Sequence, residues 1–525
     1  MTVPHALATG ETITVSLRAR VDPVRLLNKF CVLYRPTPQA LPPTWTEANA
    51  DQLLAACTMH VLGGALHHLR AYVPSQAMSR ETVEILVRPE DAHSNLCPAY
   101  LSELAVTLNG TPLPAEAVPV PDSTCVRLRV TLFTPGTHRL TVREARSGLE
   151  TTTNPIVVRE TPLDLQVYWG MIHGHSEMSD GCGDLEYYFR QIRDEAALDF
   201  AAPGDHDHLY ETSDAFWTHT RDTVKQWHAP GTFVTFLGYE FAKWRRLGEG
   251  DRNVYYLHDD RPMYRSDEGH YPMPSDLFRA LAEETALIIP HHTGHDPSHC
   301  DWVDHDPVRE RLVEIYQCRG SYECAEEDGN TVPDRRSTPN PVGYVQRALA
   351  LGWRVGFTAG GDDHQGHAGT DFPLGDGAAA YQAGLFCVLA TARTREAIWE
   401  ALWERRTVAT TGPRILLAYT LNGHLLGTEL SAAAEPSLAT RRTLAITYAG
   451  TAPVERVEIL RNNMVIYSVS GAGRDGTVAW EDTAALDTVL LPPAPHAPEP
   501  FCCYYVRLRQ QDGAVAWASP VWITP

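Results

Sequence analysis

The apolar-aromatic run Val167-Tyr168-Trp169 leads through Gly170-Met171-Ile172 into His173-Gly174-His175, and Ser179-Asp180-Gly181 follows at once. An extended backbone sends alternate side chains to one face, so the two imidazoles can reach a single metal ion. Asp180 follows on a glycine-marked turn and can fold back as an oxygen ligand. An HxH pair alone decides nothing, because such pairs also occur on ordinary strand surfaces. The rest of the chain gives it weight.

After Gly181, Leu185, Tyr188, Phe189, Ile192 and Ala196 recur at helical spacing, and Leu198 to Ala202 reads as a short buried strand. A helix from Asp214 to Trp227 precedes a strand from Thr232 to Leu237. Ser275 can cap a helix running to Glu284, with Leu287-Ile288-Ile289 beyond it. Strand Leu312 to Tyr316, helix Val342 to Leu351, strand Arg354 to Thr358, strand Ala383 to Leu389 and helix Thr394 to Arg406 complete the series. Repeated helix-then-strand units predict an α/β class with a parallel sheet, and their number suits an α/β barrel.

Each expected strand ends in metal-type side chains. His173 and His175 follow the first; Asp205, His206, Asp207 and His208 follow Ala202; Glu240 follows Leu237; His291 and His292 follow Ile289. Glu314, Arg319 and Glu323 cluster about the next, and Asp362, Asp363 and His364 follow Thr358. Barrel enzymes collect their active sites at these strand ends. Imidazole with carboxylate, without clustered thiolate, suits Mn, Zn or Fe. The number of candidate ligands exceeds what one ion accepts, so two or three divalent ions sharing a bridging carboxylate are expected.

The flanks read differently. Thr12 to Leu17, Cys125 to Val130 and His138 to Val142 alternate before residue 160, and Thr443 to Tyr448, Val457 to Leu460 and Tyr504 to Leu508 alternate after residue 413. Leu53 to Leu69 reads as an added helix. Three parts are expected: a β-rich segment 1–160, a metal-bearing segment 161–412 and a β-sandwich-like segment 413–525. Of 23 histidines, 15 fall between residues 165 and 370, which puts the chemistry in the middle.

Composition bounds the partners. A formal charge of −21 argues against nucleic acid or an anionic membrane as the main partner. It leaves room for a small anionic substrate held by metals, and for a homo-oligomer. Eleven cysteines without regular spacing or a CxxC pair argue against a disulfide framework. With no apolar span and no signal-like start, the expected location is the cytoplasm. Cys502 and Cys503 read as small core residues.

His173-Gly174-His175-Ser176 with Ser179-Asp180-Gly181, then Gly204-Asp205-His206-Asp207, Glu240, Pro290-His291-His292 and Gly361-Asp362-Asp363-His364 resemble the PHP (polymerase and histidinol phosphatase) superfamily in order along residues 165 to 370. Gly238-Tyr239-Glu240, Arg252-Asn253-Val254-Tyr255, Glu314-Ile315-Tyr316 and Arg319-Gly320-Ser321-Tyr322-Glu323 resemble a PHP-like family whose metal domain lies between β-rich segments. The resemblance implies a distorted (β/α)7 barrel flanked by sandwich-like domains, two or three metals, and cleavage of phosphate esters. It implies His173, His175, Glu240 and Asp362 on a first metal, with Glu240 bridging to a second that His291 also holds. Asp180, His206 and His364 would hold a third. Two positions depart from the pattern. Gly204 stands where threonine is usual, and neither Glu314, Cys318 nor Glu323 supplies the later ligand of the second site.

Several residues carry two readings. His206, Asp207, His292, Arg319 and Asp363 are the candidates for substrate contact or proton transfer. His292 alternates with His291 along a strand and so faces away from it. Asp205 reads as the partner that orients an imidazole. Arg319 suits an anionic substrate, or else pairs with Glu323. Glu240 could instead pair with Arg245 or Arg246, which with Lys243 form a small basic island that reads as a solvated loop. Trp302 and Tyr322 are candidates for the pocket wall. The expected activity is a hydrolase using a metal-bound hydroxide on a small phosphoester. Cleavage of a C–N or C–O bond in an amide, lactone or uronate, and a non-catalytic metal-bearing scaffold, are the rival readings.

Overall fold

The computed structural model describes residues 27–33, 53–98, 103–209, 211–242, 249–267, 271–296, 298–371, 383–471 and 473–525. Thr12 to Leu17 and the Lys243-Arg245-Arg246 island lie outside them.

Ahead of the His-rich region, three small sheets pack about one core. Strands His68–Tyr72, Glu81–Glu90, Val126–Leu132 and Glu116–Pro119 form one; Leu104–Leu108 and Leu140–Glu144 anchor another; Gly136–His138, Ile156–Arg159 and Gln76–Met78 form the third. Their inward residues alternate, as Val83, Ile85 and Val87 do along one strand, and they meet Leu128, Val130, Leu140 and Val142. Leu53–His60 is a strand paired antiparallel with Leu27–Leu33, which corrects the helix expected from Leu53 to Leu69.

Glu90 ties this region together. Its buried carboxylate meets Arg88 Nε at 2.6 Å, His68 Nε2 at 2.6 Å and Arg70 Nε at 2.9 Å. Burial alone would raise the carboxyl, but Arg88, then His68 and Arg70, hold it at about 2. The unfolded chain binds that proton near 4.5, so the stability Glu90 contributes is full above that pH and is lost as pH falls toward 2. Glu90→Gln is expected to lower the melting temperature at pH 7 and to flatten the fall below pH 4.5. An unchanged acid limb in a melting series from pH 7 to 2 would contradict this.

The expected barrel is not what forms. Strands hold 40% of the residues and helices 13%, and no closed ring of parallel strands is present among the described residues. Among the described residues, Gln166–Met171, Phe200–Ala201 and Val234–Thr235 make the one run of three parallel neighbours. Leu237–Phe241, Arg252–Tyr256 and Ala286–Pro290 form an antiparallel meander, and Leu312–Gln317 pairs parallel with Gly356–Ala359 in a separate sheet. Gln166–Met171 pairs antiparallel with Leu385–Ala390, and that sheet continues through Thr407–Thr410 into Val515–Thr524, Cys502–Gln510, Val454–Arg461 and Met464–Ser470. A buried apolar strand reads the same whether its neighbour runs parallel or antiparallel, and the Arg252–Tyr256 strand adds a reversal that helix–strand alternation does not show. Hydrogen bonds therefore cross the boundary expected near residue 412.

The helices are short. The first runs Leu185–Arg190, capped by Asp184, and continues as a π-helical turn Gln191–Glu195. Asp214–Trp227 is capped by Ser213, and Arg395–Trp403 by Thr394. Cys502 and Cys503 are buried, as expected of core residues. No described helix is long and apolar enough to cross a membrane.

Candidate metal centre

Glu240 stands within strand Leu237–Phe241, the other ligand residues lie beyond the ends of their strands, and backbone hydrogen bonds lace these segments to one another. His175 N donates to Asp363 O (2.8 Å), Asp362 N to His173 O (2.9 Å), Gly204 N to Gly174 O (2.9 Å) and Glu240 N to Asp205 O (2.9 Å). This lacing joins four segments at one point, and His291, whose N donates to Asp251 O, comes in from a fifth. Asp205 serves the lacing rather than an imidazole: its carboxylate accepts from Ser176 N (2.8 Å), Ser176 Oγ (2.8 Å) and Ser179 Oγ (2.7 Å).

Glu240 lies at the middle. Its Oε2 is 3.4 Å from His173 Nε2, 3.2 Å from His175 Nε2 and 3.7 Å from His206 Nε2, and its Oε1 is 3.0 Å from His291 Nε2. Asp362 Oδ1 lies 3.1 Å from His175 Nε2 and 3.6 Å from His173 Nε2. Asp180 Oδ1 meets His364 Nε2 at 3.2 Å and His206 Nδ1 at 3.6 Å. Among the described residues four groups result, each with donor atoms within 4.8 Å of one another: His173, His175, Glu240 and Asp362; His175, Asp180, His206 and His364; Glu240, His291 and His292; and His206, His208 and Glu211. Together they bring in all eight residues singled out as metal ligands. Asp180 and His364 are the more exposed members and mark the open side.

His292 differs from its expected placement. The strand ends at Pro290, and His292 adopts φ of 32°, so both adjacent imidazoles turn toward Glu240 instead of opposite ways. Asp362 is also in the left-handed region, at φ 48°. Strained backbone at two candidate ligands is what a functional site tolerates.

These residues fit divalent ions. His173 Nδ1 lies 2.8 Å from Glu314 Oε2, which makes Nδ1 the protonated nitrogen whenever the ring is neutral. Nε2 then turns a lone pair toward Glu240 and Asp362, an unfavourable meeting that a cation between them reverses. Without metal, burial is outweighed by Glu314, Asp362 and Glu240, which hold this ring well above its usual range. His292 is held neutral, well below its usual range, by burial and then by His291 and Arg319. Its Nδ1 is buried with no hydrogen-bond partner among the described residues. His206 is braced through Nδ1 by Glu211 Oε2 at 2.8 Å, and Asn253 meets His291 Nδ1 at 3.2 Å.

Without metal, protons take the same places. Burial opposes a charged imidazole, but Glu240, Glu211 and Asp180 raise His206 to about 9, and Asp180 and Asp362 raise His364 to about 9. Burial and His364 oppose the same change at His175, which Asp362 and Glu240 still raise to about 8. Burial would raise Glu240, yet His291, His206, His173 and His175 hold it well below the carboxylate range. Metal binding must expel these protons, so affinity is expected to rise from pH 6.5 to 8.5 with proton release. Calorimetry of Mn2+ binding in buffers of different ionisation enthalpy reads both, and a pH-independent affinity would contradict the arrangement.

The remaining candidates separate. Arg319 Nη1 donates to Asp362 Oδ2 and to Gln317 Oε1 (3.1 Å), and Gln317 Nε2 also donates to Asp362 Oδ2 (3.0 Å). Arg319 therefore does not pair with Glu323. Asp207 is turned into the protein, accepting from Ser266 N (2.5 Å) and Ala242 N (3.2 Å), and burial pushes its carboxyl up to about 7 despite these donors. Asp363 accepts from Gln365 N and His367 N within its own loop. Both act as loop braces. Trp302 and Tyr322 are buried, Trp302 against Trp353 and Tyr322 with its hydroxyl on Asp334, so neither walls an opening. Glu211 and Gln317 escaped the sequence reading, and Asn253 stood in it only as part of a motif, without its contact to His291. Gln317, the next polar residue after Leu312 to Tyr316, could have been found by reading one position further.

Fold and site define a protein that gathers histidine and carboxylate ligands at the ends of strands in a mostly β chain. Residues 185–330 and 355–432 match the model of a family described as a protein of unknown function, DUF3604. The chain is 28% identical over 534 residues to an uncharacterised protein of Chlamydia pneumoniae, covering 99% of this chain and 85% of that one. It is 30% identical over 477 residues to an uncharacterised protein of Chlamydia muridarum, covering 89% and 75%. The chain belongs to the same family as these chlamydial proteins. Among solved structures it is similar, at TM-score 0.35 and 17% identity, to a Bacteroides vulgatus two-domain protein described as containing a predicted PHP-like metal-dependent phosphoesterase. That overlap covers 69% of this chain and 96% of that one.

Proposed function

We propose that the protein is a metal-dependent hydrolase of small phosphoesters. The observation that carries the metal-dependent reading is Glu240, a buried carboxylate facing four imidazoles and belonging to two of the four ligand groups. Divalent ions held there supply an activated water and neutralise charge on an oxyanion. The chain's own residues do the rest. Glu314 fixes the tautomer and tilt of His173, and Glu211 those of His206. Arg319, about a quarter exposed, spends Nη1 on Asp362 and Gln317, leaving Nη2 without a protein partner among the described residues. That edge can take a phosphoryl oxygen on the open side. The phosphoester preference rests on this grip and on the motif resemblance to PHP enzymes.

The test is a panel of phosphomonoesters, phosphodiesters, lactones, amides and uronates with the Mn-loaded protein, and with His173→Ala and Asp362→Ala as controls. Turnover of a phosphoester, lost in both variants, is expected. Turnover confined to lactones, amides or uronates would replace the substrate class. No turnover with metal bound would favour a scaffold.

A further inference from the structure

The hairpin that carries Arg319 is gripped from the far end of the chain. Tyr316 pairs with Ser321 and Gln317 with Gly320, leaving Cys318-Arg319 as a two-residue turn. Glu323, two residues past the hairpin, is buried, and three donors meet its carboxylate. Tyr505 Oη donates to Oε1 at 2.7 Å, and Arg507 Nη1 (2.9 Å) and Trp517 Nε1 (2.7 Å) donate to Oε2. Tyr505 and Arg507 alternate onto one face of Cys502–Gln510, and Arg507 stands opposite Trp517 on Val515–Thr524. Arg507 Nε is fixed in turn by Glu458 Oε2 at 2.7 Å. The backbone is held too: Val345 N donates to Tyr322 O, and Gln346 N to Glu323 O. On the other side, a side chain at Gly320 would lie 2.4 Å from Asp334 N, so the hairpin has no slack there.

An apolar residue at position 323 would fill the same space without burying a charge, and buried ion pairs add little stability over such replacements. What a carboxylate with three directed donors adds is position. We propose that the C-terminal sheet is a working part of the metal centre: Glu323, clamped by Tyr505, Arg507 and Trp517, is a positioning residue that holds Arg319 against Asp362. Its functional consequence rests on the reading of Arg319 as a substrate contact.

Two arms test this on the full chain. The first needs neither metal nor substrate: phenylglyoxal labelling of Arg319, followed by mass spectrometry, with exposed Arg335 as internal control. Glu323→Gln and Tyr505→Phe are expected to speed labelling of Arg319 by about threefold or more with Arg335 unchanged, because the hairpin opens more often. Tyr505→Phe keeps its ring, so it reports should Glu323→Gln fail to fold. An Arg319 rate unchanged in the folded variants would overturn the proposal. The second arm is a double-variant cycle on phosphoester turnover. Glu323→Gln is expected to raise KM more than it lowers kcat, and Arg319→Ala with Glu323→Gln to be no worse than Arg319→Ala alone. Losses that multiply would overturn it. Should the wild type turn over no phosphoester, the substrate reading falls, and the labelling arm still decides the positioning.

Discussion

Glu240→Gln is expected to strip two of the four ligand groups at once and to abolish turnover. The replacement keeps the size of the side chain, so the core about it is undisturbed, but it removes the one charge among the described residues that faces His173, His175, His206 and His291 together. A carboxamide also offers one oxygen where two are used, since Oε1 and Oε2 face different imidazoles. Changes to outer partners of metal ligands cost about 10–100-fold, so loss of a bridging carboxylate should exceed about 100-fold in turnover. Asp180→Asn should do less, because Asp180 is half exposed and belongs to one group. Metal content and turnover of the two variants, prepared side by side, check this order. Wild-type metal content in Glu240→Gln would contradict it.

Gly181→Ala is the second large effect expected, and it acts through backbone. A Cβ at Gly181 would sit 2.5 Å from the carbonyl carbon and oxygen of His175 and 2.8 Å from Ser176 N. None of these atoms can rotate away, so the loop that carries His175 must shift. His175 belongs to two ligand groups, and a displacement of about 1 Å near reacting atoms costs about 100-fold. Overpacking of this kind also destabilises by about 1–3 kcal/mol. Gly64→Ala is the control, since its Cβ would meet only Asp91 at an ordinary 3.6 Å. Turnover and metal content, read with a melting curve, distinguish a displaced ligand loop from general unfolding. Full activity in Gly181→Ala would show that the loop yields without moving His175.

Most ligand residues were legible because they end or follow an apolar run, and the ends of those runs converge whichever way the strands pair. That is why His173, Glu240 and Asp362 could be gathered while the barrel could not. Pairing direction leaves no mark on a strand such as Leu385–Ala390, whose six residues are all buried. Leu53–His60 reads as helix because Leu-Leu-Ala-Ala favours one, and only its partner Leu27–Leu33 makes it a strand. The alternation rule that separated His291 from His292 failed at a positive φ no periodicity encodes. Arg319 and Glu323 looked like a local pair, yet their partners lie 43 residues away at Asp362 and more than 180 away at Tyr505 and Arg507.

The central claim is that these side chains hold metal, and metal stoichiometry tests it most directly. The full-length chain, stripped of metal, reloaded with Mn2+ at pH 8 and freed of excess ion, should retain two or three ions, measured by mass spectrometry of the digested protein against amino-acid analysis. Glu240→Gln should retain at most one. Fewer than one ion per wild-type chain, or equal retention in the variant, would contradict the account.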